Sequence, residues 1–480
     1  MRRKNLLTRT ALGALSGALS LGLLSCAQTV TRPPPADRFY FPTGIAHVDV
    51  PGRTEGTLYV ASANADRCYE TGSIRALSLD ALPQPLPPLG APVPASGPAV
   101  IEDLGNPDPQ SQRSIETFAG QLATWPLPSG GHRLVIPTRA EGSLLQIVDA
   151  TGPAGTTLTC VPASADGAAP ENCAEDALSL DAVPEGSESS DVPRAPAPIG
   201  VAIAPDGQTF ITHIEMADDP WGSRTNERGY VVRMNAADPK LVAADFLQIP
   251  RGGTQSVAIG QRYAFVSARE LGRGLDAVIA VPRDPEDKVL HAFPLQLQYA
   301  VTALRGIALS EDERTLYVVG RSVDDILLGG NPDVLLVASV AGPRSAAPVV
   351  RVTRVVPLPT APAAIQRISR TGGSDLVLIV AQGSGSLAIY DEGIGQLVAE
   401  VRGLGVQPSQ LAVDLRAGTV DGNSVEQARV YVSNFGDGRV AVVDLPDLAR
   451  PEDARVVAYL GRRQDDVQSQ HSNTCRIGDE

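Results

Sequence analysis

The clearest pattern in the chain is a pair of apolar runs joined by a glycine-containing turn. Between Arg429 and Leu445 the sequence reads RVYVSNFGDGRVAVVDL. The runs are rich in β-branched and aromatic residues, and NFGDG supplies the Asn and Gly that a tight turn with positive φ needs, so a β-hairpin is predicted. Strict alternation is missing: Val430, Tyr431 and Val432, then Val440 to Val443, are apolar on both faces. A sheet with one wet face alternates, so both faces of this hairpin must be covered.

The same order of strands recurs. PTGIAHVDV, GTLYVASAN and GSIRALSLD form a first unit; FAGQLATWPL, HRLVIPT and GSLLQIVDA a second; PIGVAIAPDGQTFITHI and GYVVRMN a third. TQSVAIGQRYAFVSAR with DAVIAVPRD, LRGIALSEDERTLYVVGRS with DVLLVASV, and PAAIQRISR with DLVLIVAQGSGSLAIYD follow as fourth, fifth and sixth. The seventh is PSQLAVDL, the opening hairpin, and ARVVAYLG. The units start roughly 45 to 80 residues apart, and the shortest spacing suits a four-stranded propeller blade. A blade cannot bury two apolar faces alone; closed into a ring, each is covered by its neighbours. The predicted fold is therefore all-β, a seven-bladed β-propeller of four-stranded antiparallel blades over residues 39–462. Two consecutive β-sandwiches are the alternative architecture.

The units PIGVAIAPDGQTFITHI, RVYVSNFGDGRVAVVDL and ALSEDERTLYVVG resemble the YVTN-type repeats of bacterial seven-bladed β-propellers. That resemblance implies fold and says little about chemistry.

Composition agrees with a large folded body. Of 480 residues 43% are hydrophobic, and 46 Gly and 40 Pro suit many short strands and turns. The net charge is −14, and because residues 1–25 carry Arg2, Arg3, Lys4 and Arg9 and no acid, the remainder stands at −18. Such an acidic body repels polyphosphate, so no nucleic-acid partner is expected.

The N-terminus adds an address. MRRKNLLTRTALGALSGALSLGLLSCAQTV has a basic start and an apolar run from Ala11 to Leu24, shorter than the ~20 residues of a spanning helix, so residues 1–25 are predicted to be an export signal. Leu23-Leu24-Ser25-Cys26 resembles the bacterial lipobox; the resemblance implies cleavage before Cys26 and attachment of a diacylglyceryl group to its thiol, making the lipid bilayer a partner through an N-terminal acyl anchor. Ala27, where an Asp would resemble an inner-membrane retention signal, points to the outer membrane. RRKNLL only partly matches a twin-arginine signal and leaves the export route open. Residues 26–38, with Pro33, Pro34 and Pro35, are a stiff tether, and 463–480 a C-terminal tail.

Four further cysteines, Cys68, Cys160, Cys173 and Cys475, suit disulfides in an exported chain, with three possible connectivities. Cys160 with Cys173 is the economical pair, leaving Cys68 with Cys475 to staple the first unit to the tail. Without CxxC, CxxCH or an EF-hand spacing, no metal or other cofactor is expected, although paired acids in ADD and VDD could take calcium. The stretches Ala81 to Pro98 and Thr151 to Pro198 fall outside the repeated strands, the first as a stiff decoration, the second as a disulfide-tied excursion or a partner contact.

In a blade the loops joining strands two and three open on the same face as the links between blades, and polar insertions there are the candidate ligand lining: Asp218, Asp219, Trp221, Arg224, Arg269, Glu270, Arg321, Asp324 and Asp325. Trp221 among charges suits recognition of a sugar, a peptide or a partner surface. Some seven-bladed relatives are lactonases, which makes His213, Glu215 and Arg269 an alternative hydrolytic set. The five His residues lie in different units without HExxH or GxSxG, so no catalytic residue is assigned. The expected role is a membrane-anchored binding or scaffold module for an envelope protein or an extracellular ligand.

Overall fold

The computed structural model describes residues 34–464 apart from 66–68, 106–107, 140–141, 163–168, 181–194, 196, 215–228, 250–251, 270–275, 296–300, 323–331, 372 and 421. The signal segment, Cys26, Cys68 and Cys475 lie outside the described residues.

Strand pairing sorts the chain into seven sheets. Blade 1 is β1 (Pro42–Val48), β2 (Thr57–Ser62), β3 (Gly72–Ser78) and, beyond β4 (Ala99–Ile101), β5 (Gln112–Ile115). Blade 2 is β6 (Ala123–Pro126), β7 (His132–Thr138) and β8 (Leu144–Thr151), with β9 (Thr157–Cys160) and β10 (Leu178–Ser179) sharing the outer edge of β8. Blade 3 holds β11 (Pro198–Ile203), β12 (Gln208–His213), β13 (Gly229–Asn235) and β14 (Phe246–Ile249); blade 4 holds β15 (Gly253–Ile259), β16 (Tyr263–Arg269), β17 (Ala277–Pro282) and β18 (His291–Pro294). In blade 5, β19 (Val301–Thr302) and β20 (Ile307–Leu309) both pair with β21 (Thr315–Ser322), followed by β22 (Asp333–Ala341) and β23 (Val349–Pro357). Blade 6 is β24 (Pro362–Ile368), β25 (Leu376–Ala381), β26 (Ser386–Asp391) and β27 (Gln396–Arg402); blade 7 is β28 (Pro408–Val420), β29 (Asn423–Asn434), β30 (Arg439–Leu445) and β31 (Arg455–Leu460).

The core is divided into seven seams, each shared by two successive blades. Ile74 and Leu134 join blades 1 and 2, Val135 and Val232 blades 2 and 3, Phe210 and Val266 blades 3 and 4, Phe265 and Val318 blades 4 and 5. Tyr317 with Ile379, Leu378 with Val430, and Tyr431 with Val60 complete the circuit back to blade 1. Neighbours in sequence, such as Val430 and Tyr431, point into different seams because a strand alternates faces. The chain is thus a seven-bladed β-propeller, and the missing alternation of the opening hairpin is explained: Val430 to Val432 and Val440 to Val443 are fully buried between two neighbours.

Ring closure differs from the expectation for Ala81 to Pro98. This stretch is a strap rather than a decoration. It leaves β3, buries Leu82 and Leu86 in the blade 1–blade 7 seam, and delivers β4 as a fifth strand parallel to β31, with Val100 opposite Tyr459. The Gly461 N–H donates to Ile101 O at 2.9 Å. Two proline-initiated turns, Pro88 to Ala91 and Pro94 to Gly97, hide this from a local reading, since the pairing partner lies far along the sequence. The excursion after Thr151 also differs, since it supplies the composite fourth strand of blade 2. Cys160 and Cys173 form the expected disulfide, with Cα atoms 5.1 Å apart, and the Cys173 N–H donates to Ser114 O, fastening the loop to blade 1.

A left-handed residue directly precedes the inner strand at Phe41, Ala197, Gly252, Ala361 and Gln407, and Phe118 and Ala303 turn the chain ahead of β6 and β20. The carbonyls of Phe41, Ala197, Ala361 and Gln407 accept from the N–H of Ala63, Ile214, Gln382 and Phe435, the residues that follow strand two of the same blade. Such conformations cost non-glycine residues roughly 1–2 kcal/mol and persist because the ring fixes both ends.

Candidate functional site

Topology places the strand two to strand three connections on one face with the inter-blade links. Of the residues expected to line it, Asp218, Asp219, Trp221, Arg224, Glu270, Asp324 and Asp325 lie outside the described residues. Arg269 ends β16 opposite Gly253, and its side chain is likewise undescribed. Arg321 is described. It stands on β21 opposite Asp333, its Nε 3.3 Å from Asp333 Oδ1, while Asp333 Oδ2 accepts from the Ala361 N–H at 2.6 Å. Arg321 therefore caps a buried carboxylate that holds the link between blades 5 and 6, and at 44% exposure its guanidinium is still presented to this face.

Sequence reading missed an aromatic patch on the same face, at the seam of blades 1 and 7. The Tyr69 hydroxyl donates to the Tyr40 hydroxyl at 2.7 Å with the rings edge to face, and Phe41 and Phe435 are 5.1 Å apart. Burial, aided by the hydrogen bond from Tyr69, pushes the Tyr40 phenol up. Tyr69 and Phe435 are half-buried. The signal available for Phe435 was its place directly after the YVSN corner of the last unit.

The opposite face bears a cleft of about 470 Å³ where the turns between strands one and two of blades 3, 4 and 5 converge with Arg367 of blade 6. Its shape follows from turn chemistry: Pro205-Asp206-Gly207 has Gly207 at φ 87°, and Asp206 Oδ1 accepts from the Gln208 N–H. In the next turn but one, Ser310 Oγ donates to Asp312 and accepts from the Thr315 N–H, with Glu313 left-handed. The cleft's charges are paired. Arg283 meets Asp206 and donates from Nε to Gln208 Oε1 at 2.8 Å; buried Glu313 accepts from the Gln261 N–H at 2.9 Å and from Arg344 at 3.1 Å; Arg367 meets Asp375 at 2.6 Å. Glu311, exposed and outside these ion pairs, is the carboxylate the cleft presents to a polar ligand.

A third cluster lies within the blade 1–blade 7 seam. Arg429, fully buried on β29, donates from Nε to Asp444 Oδ1 at 2.8 Å, from Nη1 to Glu55 Oε2 at 2.9 Å and from Nη2 to Pro87 O at 2.7 Å. Glu55 also takes both Nη atoms of Arg416, which pairs with Asp414 as well. His47, Asp49 and Asp414 stand close enough to share a cation. His47 Nε2 lies 2.8 Å from Glu55 O and Asp414 is held by Arg416, so both groups are already engaged within the protein. The cluster is an ionic clamp that fixes blade 1, its strap and blade 7 together.

His213 of the alternative hydrolytic set ends β12 and is 1% exposed; Glu215 lies outside the described residues.

No protein-family model matches the chain, and no curated protein matches it. Solved structures are similar at low identity. Hydrazine synthase of Kuenenia stuttgartiensis aligns with TM-score 0.48 and 13% identity over 83% of this chain and 96% of that one. AztD of Citrobacter koseri aligns with TM-score 0.40 and 12% identity over 88% and 87%, and a puromycin hydrolase with TM-score 0.45 and 15% identity over 89% and 54%. Similarities this distant carry nothing about activity, and the propeller assignment rests on the seven sheets and their shared seams.

Proposed function

We propose that the chain is a YVTN-repeat-type envelope lipoprotein, anchored through Cys26 to the outer membrane, whose propeller is a binding or scaffold module for a partner protein or an extracellular ligand. The basic start, the apolar run and the Leu-Leu-Ser-Cys box support the anchor, and a diacylglyceryl group brings the two acyl chains that stable membrane attachment needs. Confinement to a membrane raises the local concentration of the module near other envelope proteins.

The observation that carries the binding role is the unevenness of one face. Strands two and three are joined by tight turns in blades 6 and 7, Gln382 to Gly385 and Phe435 to Gly438, but the corresponding connections from His213 to Gly229 and from Ser322 to Asp333 are long and charged and include Trp221. Irregular polar insertions on a rigid ring are where recognition is built. Purification from envelopes in mild detergent tests this. A partner should co-purify reproducibly with the wild type and be lost with Trp221→Ala. Absence of any partner, together with hydrolysis of lactones by the purified chain, contradicts the reading.

A further inference from the structure

The cleft of about 470 Å³ on the face away from the inter-blade links combines an apolar wall with one charge left over. The wall follows from the repeat. Ile203, Ile259 and Leu309 are the last residues of β11, β15 and β20, so they hold one position in three successive blades. All three are half-buried and line the cleft. In blade 6 the row of aliphatic side chains gives way to Arg367, near the same end of β24.

Most of the charge around this wall is spent inside the protein. Arg283 is held by Asp206, Glu313 by Arg344 and Arg367 by Asp375. Glu311 is the exception. Its Oε2 accepts at 3.3 Å from Ser369 Oγ, which itself accepts from Arg367 Nη1 at 2.6 Å, so the carboxylate is steadied between blades 5 and 6. Among the described residues Oε1 accepts no hydrogen bond, and neither oxygen meets a cation.

An exposed carboxylate alone holds a cation weakly, and an aliphatic wall alone selects no charge. Together, in a concavity within the roughly 300–1,000 Å³ of small-molecule sites, they suit a cationic head on an aliphatic body. We propose that this cleft binds a small aliphatic amine, its ammonium donating to Glu311 and its alkyl chain lying on Ile203, Ile259 and Leu309. An anion is disfavoured, because both arginines of the lining already have their carboxylates and the unmatched charge is negative. The site is independent of any partner held by the opposite face.

A saturation-transfer NMR titration of the full chain with n-pentylammonium chloride tests this, with n-pentanol, pentanoate and methylammonium compared at the same ionic strength. Pentylammonium is expected to bind saturably. The other three, which lack the charge, reverse it or lack the chain, are expected to bind at least about tenfold more weakly. Glu311→Gln should weaken pentylammonium by about tenfold without moving the thermal midpoint, because the side chain is exposed and keeps its shape. Glu102→Gln, at another exposed carboxylate, should leave the affinity unchanged. Absence of saturable pentylammonium binding overturns the proposal. So does pentanol or pentanoate binding as tightly as pentylammonium in the wild type, or pentylammonium affinity that Glu311→Gln leaves unchanged.

Discussion

At the scale of single residues, the propeller is set by close approach and by buried charge. A Cβ on Gly44 would lie 2.9 Å from Gly120 O of the next blade, and one on Gly120 would sit on the Ile199 carbonyl of the blade after. Inner strands therefore touch backbone to backbone around the axis, and only a residue without a side chain fits. Gly120→Ala is expected to lower stability by about 1–3 kcal/mol in denaturant titration, while Gly142→Ala, whose new Cβ meets nothing closer than 3.5 Å, leaves the midpoint nearly unmoved. Arg429→Met strands Asp444 as a buried charge and should cost about 3–5 kcal/mol; adding Asp444→Leu should recover much of that loss, because a paired apolar replacement leaves no charge behind. If the double variant is as unstable as the single one, the clamp acts by shape and not by charge.

At the scale of elements, the critical piece is β4. Ile101 is 1% exposed, belongs to the seam of blades 1 and 7, and accepts from the Gly461 N–H. Ile101→Ala is expected to cost about 2–5 kcal/mol and to speed hydrogen exchange at Gly461 and along β31, with the β25 and β26 amides of blade 6 unchanged. Exchange that rises evenly in all blades would place closure elsewhere. Strands two and three of every blade were legible, because Val430 to Val432 and their counterparts are apolar on both faces and only a covered sheet reads that way. The Cys160–Cys173 bridge was legible from its short spacing. The strap was not, since AVI after a proline run has no local sign of a partner in β31. Nor was the ionic clamp: Glu55, Arg416 and Arg429 are far apart in sequence and look like ordinary surface charges until the ring brings them together. Of the expected ligand lining, Arg321 could be placed, and it guards Asp333; the left-handed links were foreshadowed by Phe-Pro-Thr-Gly, Ala-Pro-Ile-Gly and Gln-Pro-Ser-Gln, which set a proline directly after the strained residue.

At the scale of the whole molecule, seven shared seams make a rigid ring whose two faces are unlike. One has a cleft with paired charges and the long hairpin of β28 and β29, with Gly422 at its tip; the other gathers the inter-blade links, the Tyr40–Tyr69 pair and the connections that include Trp221. An anchored binding module needs its partner on one face and its lipid at Cys26. Photo-crosslinking in intact cells, with a photoreactive residue at position 221 or at position 422 of otherwise wild-type chain, measures that most directly. The account predicts a discrete crosslinked product in the membrane fraction from position 221, absent from position 422 and lost when Cys26→Ala removes the anchor. A product from position 422 alone, or an equal yield from a soluble Cys26→Ala chain, would contradict it.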